Sequence, residues 1–81
     1  MQVTILLFAR LRDITGSSEL KRELPDGATV QFLWDNLEAD YKELSPYRET
    51  ISTAINAEYT KMNSRLTNGD EVAFLPPVSG G

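Results

Sequence analysis

Three observations predict an α+β fold, a small mixed sheet with one main helix packed on one face. Two strand-like segments open the sequence, one helical-period stripe occupies its middle, and short strand-like runs separated by turn residues close it. At 81 residues the sequence suits one small domain, and no repeat or linker marks a second. Its 41% apolar and 25% charged content is ordinary globular usage, which excludes a disordered chain.

Gln2 to Phe8 alternates, with Val3, Ile5 and Leu7 on one face and Thr4, Leu6 and Phe8 on the other. Apolar groups on both faces mark a strand more buried than an edge. Ala9 to Ile14 is a short stretch with a single helical turn, closed by Thr15-Gly16-Ser17-Ser18. Glu19 to Leu24 sets Leu20, Arg22 and Leu24 on one side and is expected to pair antiparallel with the first strand. Pro25-Asp26-Gly27 is a turn, since proline presets φ and glycine accepts positive φ.

Thr29 stands as N-cap of a helix from Val30 to about Tyr41. Val30, Leu33, Leu37, Tyr41 and Leu44 follow the helical period and face the core, Trp34 flanks them as a core residue, and Pro46 ends the region. Gln31, Asp35, Glu38 and Lys42 fall on the wet side. Ile51 to Asn56 is a third strand, Asn56-Ala57-Glu58 a tight turn, and Tyr59-Thr60 a short returning strand. Leu66 is a plug, Thr67-Asn68-Gly69-Asp70 a turn, and Glu71 to Leu75 the last strand. The order β-β-α-β-β with one helix over a mixed sheet fits the β-grasp arrangement.

Composition excludes most catalysis. With neither His nor Cys there is no imidazole base, no thiol nucleophile and no thiolate or imidazole metal ligand. The glycines sit singly in turns, so no phosphate-cradling loop is present before the final pair. Asp35 and Glu38 are helical neighbours on a solvated face rather than a glycosidase pair. The chain is therefore not expected to be an enzyme on its own, nor to bind a metal or cofactor itself. A net charge of −4 excludes the basic footprint of a nucleic-acid binder. Met1 leads straight into a strand, with neither leader pattern nor membrane-length apolar run, so no membrane association and a cytoplasmic location are expected.

What remains is the end of the sequence and the surface beside it. Gly80 and Gly81 carry no side chain that could obstruct a narrow passage, which suits insertion of an extended Ser79-Gly80-Gly81 tip into another protein's active site. The reactive group is then the Gly81 carboxylate. Pro76 and Pro77 stiffen the exit from the sheet, so the expected division is a domain over residues 1–78 and a flexible tail over residues 79–81. If Val72 and Phe74 pack under the helix, Leu75 points away from it and meets Phe8, with Tyr59, on the open face. Phe8, Tyr59, Leu75, Pro76 and Pro77 are thus the candidate partner-docking residues.

Leu66 to Gly81, with its Phe74-Leu75-Pro76-Pro77-Val78-Ser79-Gly80-Gly81 ending, closely resembles the C-terminal signature of the small subunits of molybdopterin synthase, a family of ubiquitin-like sulfur carriers. Leu7-Phe8-Ala9-Arg10-Leu11-Arg12, Gly16 and Ala54-Ile55-Asn56 also fit that family. Leu75 stands where an aromatic is sometimes found, and Tyr59 where an aliphatic is common. The resemblance implies that an activating enzyme uses ATP and Mg²⁺ to adenylate the Gly81 carboxylate, and that a sulfurtransferase system converts it to a thiocarboxylate. It further implies that the carrier docks on the large synthase subunit, in a heterotetramer of two small and two large subunits. There it gives its sulfur to cyclic pyranopterin monophosphate, building the dithiolene of molybdopterin.

Two other functions share this ending. One is a ubiquitin-like protein modifier, joined through Gly81 to lysines of its targets. The other is sulfur donation to a different pathway, such as thiazole, cysteine or tRNA thiolation; thiazole carriers usually lack a Pro-Pro pair before the tail.

Overall fold

A computed structural model describes residues 1–77; Val78 and the Ser79-Gly80-Gly81 tip, with the expected boundary between domain and tail, lie outside the described residues. The chain runs β1 (Gln2–Leu7), α1 (Ala9–Thr15), β2 (Glu19–Glu23), α2 (Val30–Asp40), a 3₁₀ helix (Lys42–Tyr47), β3 (Ser52–Ile55), β4 (Glu58–Thr60) and β5 (Glu71–Leu75). The five strands form one mixed sheet in the order β2-β1-β5-β3-β4. β1 pairs antiparallel with β2 and parallel with β5, as the β-grasp reading requires. The short returning strand β4 closes the other edge against β3.

The alternation in β1 has the expected consequence. Val3, Ile5 and Leu7 are buried under α2, while Thr4 and Leu6 are only partly covered on the other face. β5 repeats this: Val72 and Phe74 are fully buried, and Ala73 and Leu75 face the open side. On α2, Val30, Leu33, Trp34 and Leu37 are buried. The helix starts where Thr29 Oγ1 accepts a hydrogen bond from the Phe32 amide at 3.2 Å, a cap that contributes about 1 kcal/mol. Trp34 meets the Phe74 ring edge-on, centroids 5.2 Å apart, and joins helix to sheet at the middle of the core.

Four sequence expectations shift. Ala9 to Ile14 forms a full short helix, Ala9–Thr15, ended by Gly16 at φ 77°, and it buries Leu11 completely. α2 stops at Asp40, before Tyr41, so Leu44 reaches the core from the separate 3₁₀ helix rather than by continuing the stripe. Pro46 lies inside that 3₁₀ helix instead of ending the region, because its missing N–H falls in a segment too short to need it. β3 is shorter than expected, and both Thr53 and Ala54 are buried in it, since β3 is flanked by β5 and β4 and covered on the helix side. Leu66 is buried in the core, as a plug should be. Among the described residues no helix is long and apolar enough to cross a membrane.

Candidate functional site

The sheet face away from α2 is set by register. Leu6 pairs with Ala73, Ala73 with Ala54, and Ala54 with Tyr59, so these side chains form one row across β1, β5, β3 and β4. Ser52 pairs with Leu75 one step along. Phe8 has extended backbone, φ −122° and ψ 154°, and so continues the alternation of β1 onto this face before α1 begins. Leu6, Phe8, Tyr59, Ala73 and Leu75 line a shallow groove of about 270 Å³. Phe8 is 43% exposed and Tyr59 81%, and with Phe32 of α2, 45% exposed and outside this groove, they are the large apolar side chains left in water among the described residues. The structure therefore brings together Phe8, Leu75 and Tyr59, the three groove residues expected from parity.

Pro76 and Pro77 follow β5 directly, the first half-buried and the second exposed, at the end of the strand that carries Leu75. Ser79, Gly80 and Gly81 lie outside the described residues. Three groove residues escaped the sequence reading: Ala54, Ala57 and Glu71. Ala54 and Glu71 were legible in principle from strand alternation. Ala57 was not, because its place depends on the turn between β3 and β4.

That turn is pinned from below by Asp70. Its carboxylate accepts hydrogen bonds from the Thr67 amide at 2.8 Å, the Thr67 hydroxyl at 2.9 Å and the Asn56 side-chain amide at 3.1 Å. Asn56 in turn accepts from the Glu71 amide at 3.0 Å and donates its own amide to the Glu71 carbonyl at 2.8 Å. Burial pushes the Asp70 carboxyl up, but the hydrogen bonds from Thr67 and Asn56 outweigh it and hold the group below its ordinary value. A depressed folded-state value means that the unfolded chain takes up the proton first. The stabilisation is thus complete above the ordinary aspartate range and is lost as pH falls through the folded-state value. Asp70→Asn is expected to lower stability by about 1–3 kcal/mol at neutral pH and to flatten the acid limb of stability against pH. Chemical denaturation from neutral to acid pH checks both.

A second concave surface, of about 680 Å³, lies on the opposite side, lined by Asp35, Glu38, Lys42 and Arg48. Arg48 bridges Asp35 at 2.7 Å and Glu38 at 3.6 Å, and Glu38 also accepts from the Trp34 indole N–H at 3.1 Å. Arg48 pairs with both carboxylates, so this surface ties the 3₁₀ helix to α2. Asp35 and Glu38 thus lie on the wet side of α2, as expected, and there they are partners of Arg48. Among the described residues no group of three or more carboxylates is placed to hold a metal ion.

The chain is similar to known proteins along its length. The ThiS family matches residues 5–81. The molybdopterin synthase sulfur carrier subunit of Chlamydomonas reinhardtii is 39% identical over 83 residues, covering 100% of both chains. That of Arabidopsis thaliana is 37% identical over 81 residues, covering 100% of this chain and 84% of the relative. Among solved structures, SAMP1 from Haloferax volcanii, a small archaeal modifier protein, superposes with a TM-score of 0.88 at 29% identity over 100% of both chains.

Proposed function

Since the chain belongs to the ThiS family, we propose that it is the sulfur carrier subunit of a molybdopterin synthase, with the Gly81 carboxylate as the atom group that carries sulfur. The observation that carries this reading is full-length likeness to sulfur carrier subunits of that synthase, at 37% and 39% identity. In this reading the chain is not catalytic alone. An activating enzyme adenylates Gly81 with ATP and Mg²⁺, because a carboxylate resists nucleophilic attack until it carries a good leaving group. A sulfur nucleophile from a sulfurtransferase system then displaces AMP and leaves a thiocarboxylate. Ser79, Gly80 and Gly81 enter the large subunit's pocket, where the sulfur passes to cyclic pyranopterin monophosphate.

The apolar groove is the docking surface for the large subunit in a heterotetramer, and Pro76 and Pro77 aim the tail from its edge. An interface core of this kind is depleted in charge and rich in aromatic residues. Phe8→Ala and Leu75→Ala are each expected to weaken binding of the large subunit roughly tenfold or more, as truncation of an interface anchor does, while moving the melting temperature little. Titration calorimetry beside thermal melts checks this. A large fall in melting temperature with unchanged affinity overturns the assignment.

The carrier chemistry is tested by the intact mass after incubation with the activating enzyme, ATP, Mg²⁺ and a sulfur source. A gain equal to replacement of one oxygen by sulfur, absent without Gly81, is expected. The likeness to SAMP1 favours a second reading, conjugation of Gly81 to lysines of target proteins. Adenylate formation without the sulfur mass gain, together with Gly81-dependent conjugates in a lysate, would select it.

A further inference from the structure

The loop between β3 and β4 has two residues, since Ile55 pairs with Glu58. Asn56 has φ 50° and Ala57 has φ 71°. Positive φ at both central positions is the pattern of a type I′ hairpin turn, in which the second position favours glycine. Asn56 is compensated: it tolerates the left-handed region, and its side chain bonds Asp70 and the Glu71 amide. Ala57 has no such compensation. A β-carbon there meets the conformational cost that glycine avoids, yet the residue is alanine, and it lines the groove beside Tyr59.

We propose that Ala57 is a contact residue of the docking face, held at an unfavourable backbone position because its methyl group extends the apolar wall of the groove. This rests on the reading of that face as the surface that meets the large synthase subunit, which is the occupant. Asn56 and Asp70 supply the support. They tie the turn to the start of β5, so the Ala57 methyl is presented from a fixed turn rather than a loose loop. The groove thus takes apolar groups from three places far apart in sequence: Phe8 after β1, Leu75 at the end of β5 and Ala57 in the turn.

The test is Ala57→Gly, measured for thermal stability and for affinity to the large subunit, with Phe8→Ala alongside. Glycine removes the backbone cost and the methyl together, so the two readouts are expected to move in opposite senses. The melting temperature rises by roughly a few degrees, while affinity falls about fourfold, the factor for one buried methyl-sized group. A merely structural role would move both readouts the same way or leave affinity untouched. If Phe8→Ala weakens binding and Ala57→Gly does not, this inference is overturned and the docking surface stands. If neither weakens binding, both fall. Weaker binding with a lower melting temperature also overturns it, because the loss would then come from a damaged turn.

Discussion

Removing Gly81 is expected to abolish sulfur transfer completely while leaving the melting temperature unchanged. Among the described residues the buried core runs from Val3 to Phe74, and the strand pairing of β5 reaches Leu75. Stability is expected to rest on these contacts, whereas the proposed chemistry rests on the Gly81 carboxylate alone. No other group can substitute, because the sequence has neither Cys nor His to hold or relay sulfur. Replacing Gly80 with a bulky residue is expected to have the same effect by obstructing entry to the partner's pocket. The measurement is molybdopterin formation in cells lacking their own carrier, with thermal melts of the purified variants. Molybdopterin formation by the truncated protein would sink the assignment of Gly81.

The parts of the fold legible in the sequence are those where one face is buried and the period is strict. β1 and β5 alternate cleanly, so their parity gave both the core set and the open face, including the meeting of Phe8 with Leu75. Thr29 and the Val30-Leu33-Leu37 stripe placed α2 because a cap and a helical period agree. What escaped depended on partners distant in sequence or on unusual backbone. α1 begins with Ala9 at φ 49°, which no propensity would suggest. The 3₁₀ helix is held by Leu44 in the core and by Arg48 reaching back to Asp35 and Glu38, a pairing that spacing does not announce. Ala57 reached the groove only because Asp70, 13 residues later, anchors the preceding Asn56. The candidate site was thus legible in part: Leu6, Phe8, Ala73 and Leu75 followed from parity in β1 and β5, Ala54 and Glu71 were open to the same argument but were missed, and the turn-borne Ala57 needed the tertiary structure.

Neighbouring residues on β5 separate stability from function, and Phe74→Ala is expected to show the stability side at its largest. Phe74 is fully buried and packs edge-on against Trp34. Truncating a buried phenylalanine costs about 3–5 kcal/mol, lost transfer energy plus the cavity left behind. That is a large share of the 5–15 kcal/mol available to a typical domain, and so small a domain sits toward the low end. The partners cannot close the gap readily, because Trp34 is held by its indole bond to Glu38 and Phe74 lies between Leu7 of β1 and Thr53 of β3 in the sheet. Urea denaturation followed by fluorescence of Trp34, the single tryptophan, reads the loss directly. If Phe74→Ala does not fold, Phe74→Leu, which leaves a smaller cavity, keeps the measurement possible and is expected to cost less. A loss below about 1 kcal/mol in either variant would mean that the site collapses around the deletion. The core would then not hinge on the Trp34–Phe74 contact. Leu75→Ala, one residue on but facing the open side, is expected to do the converse, weakening partner binding at little cost in stability. Parity alone divides the two outcomes, since a one-residue step along a strand reverses the face on which a side chain stands.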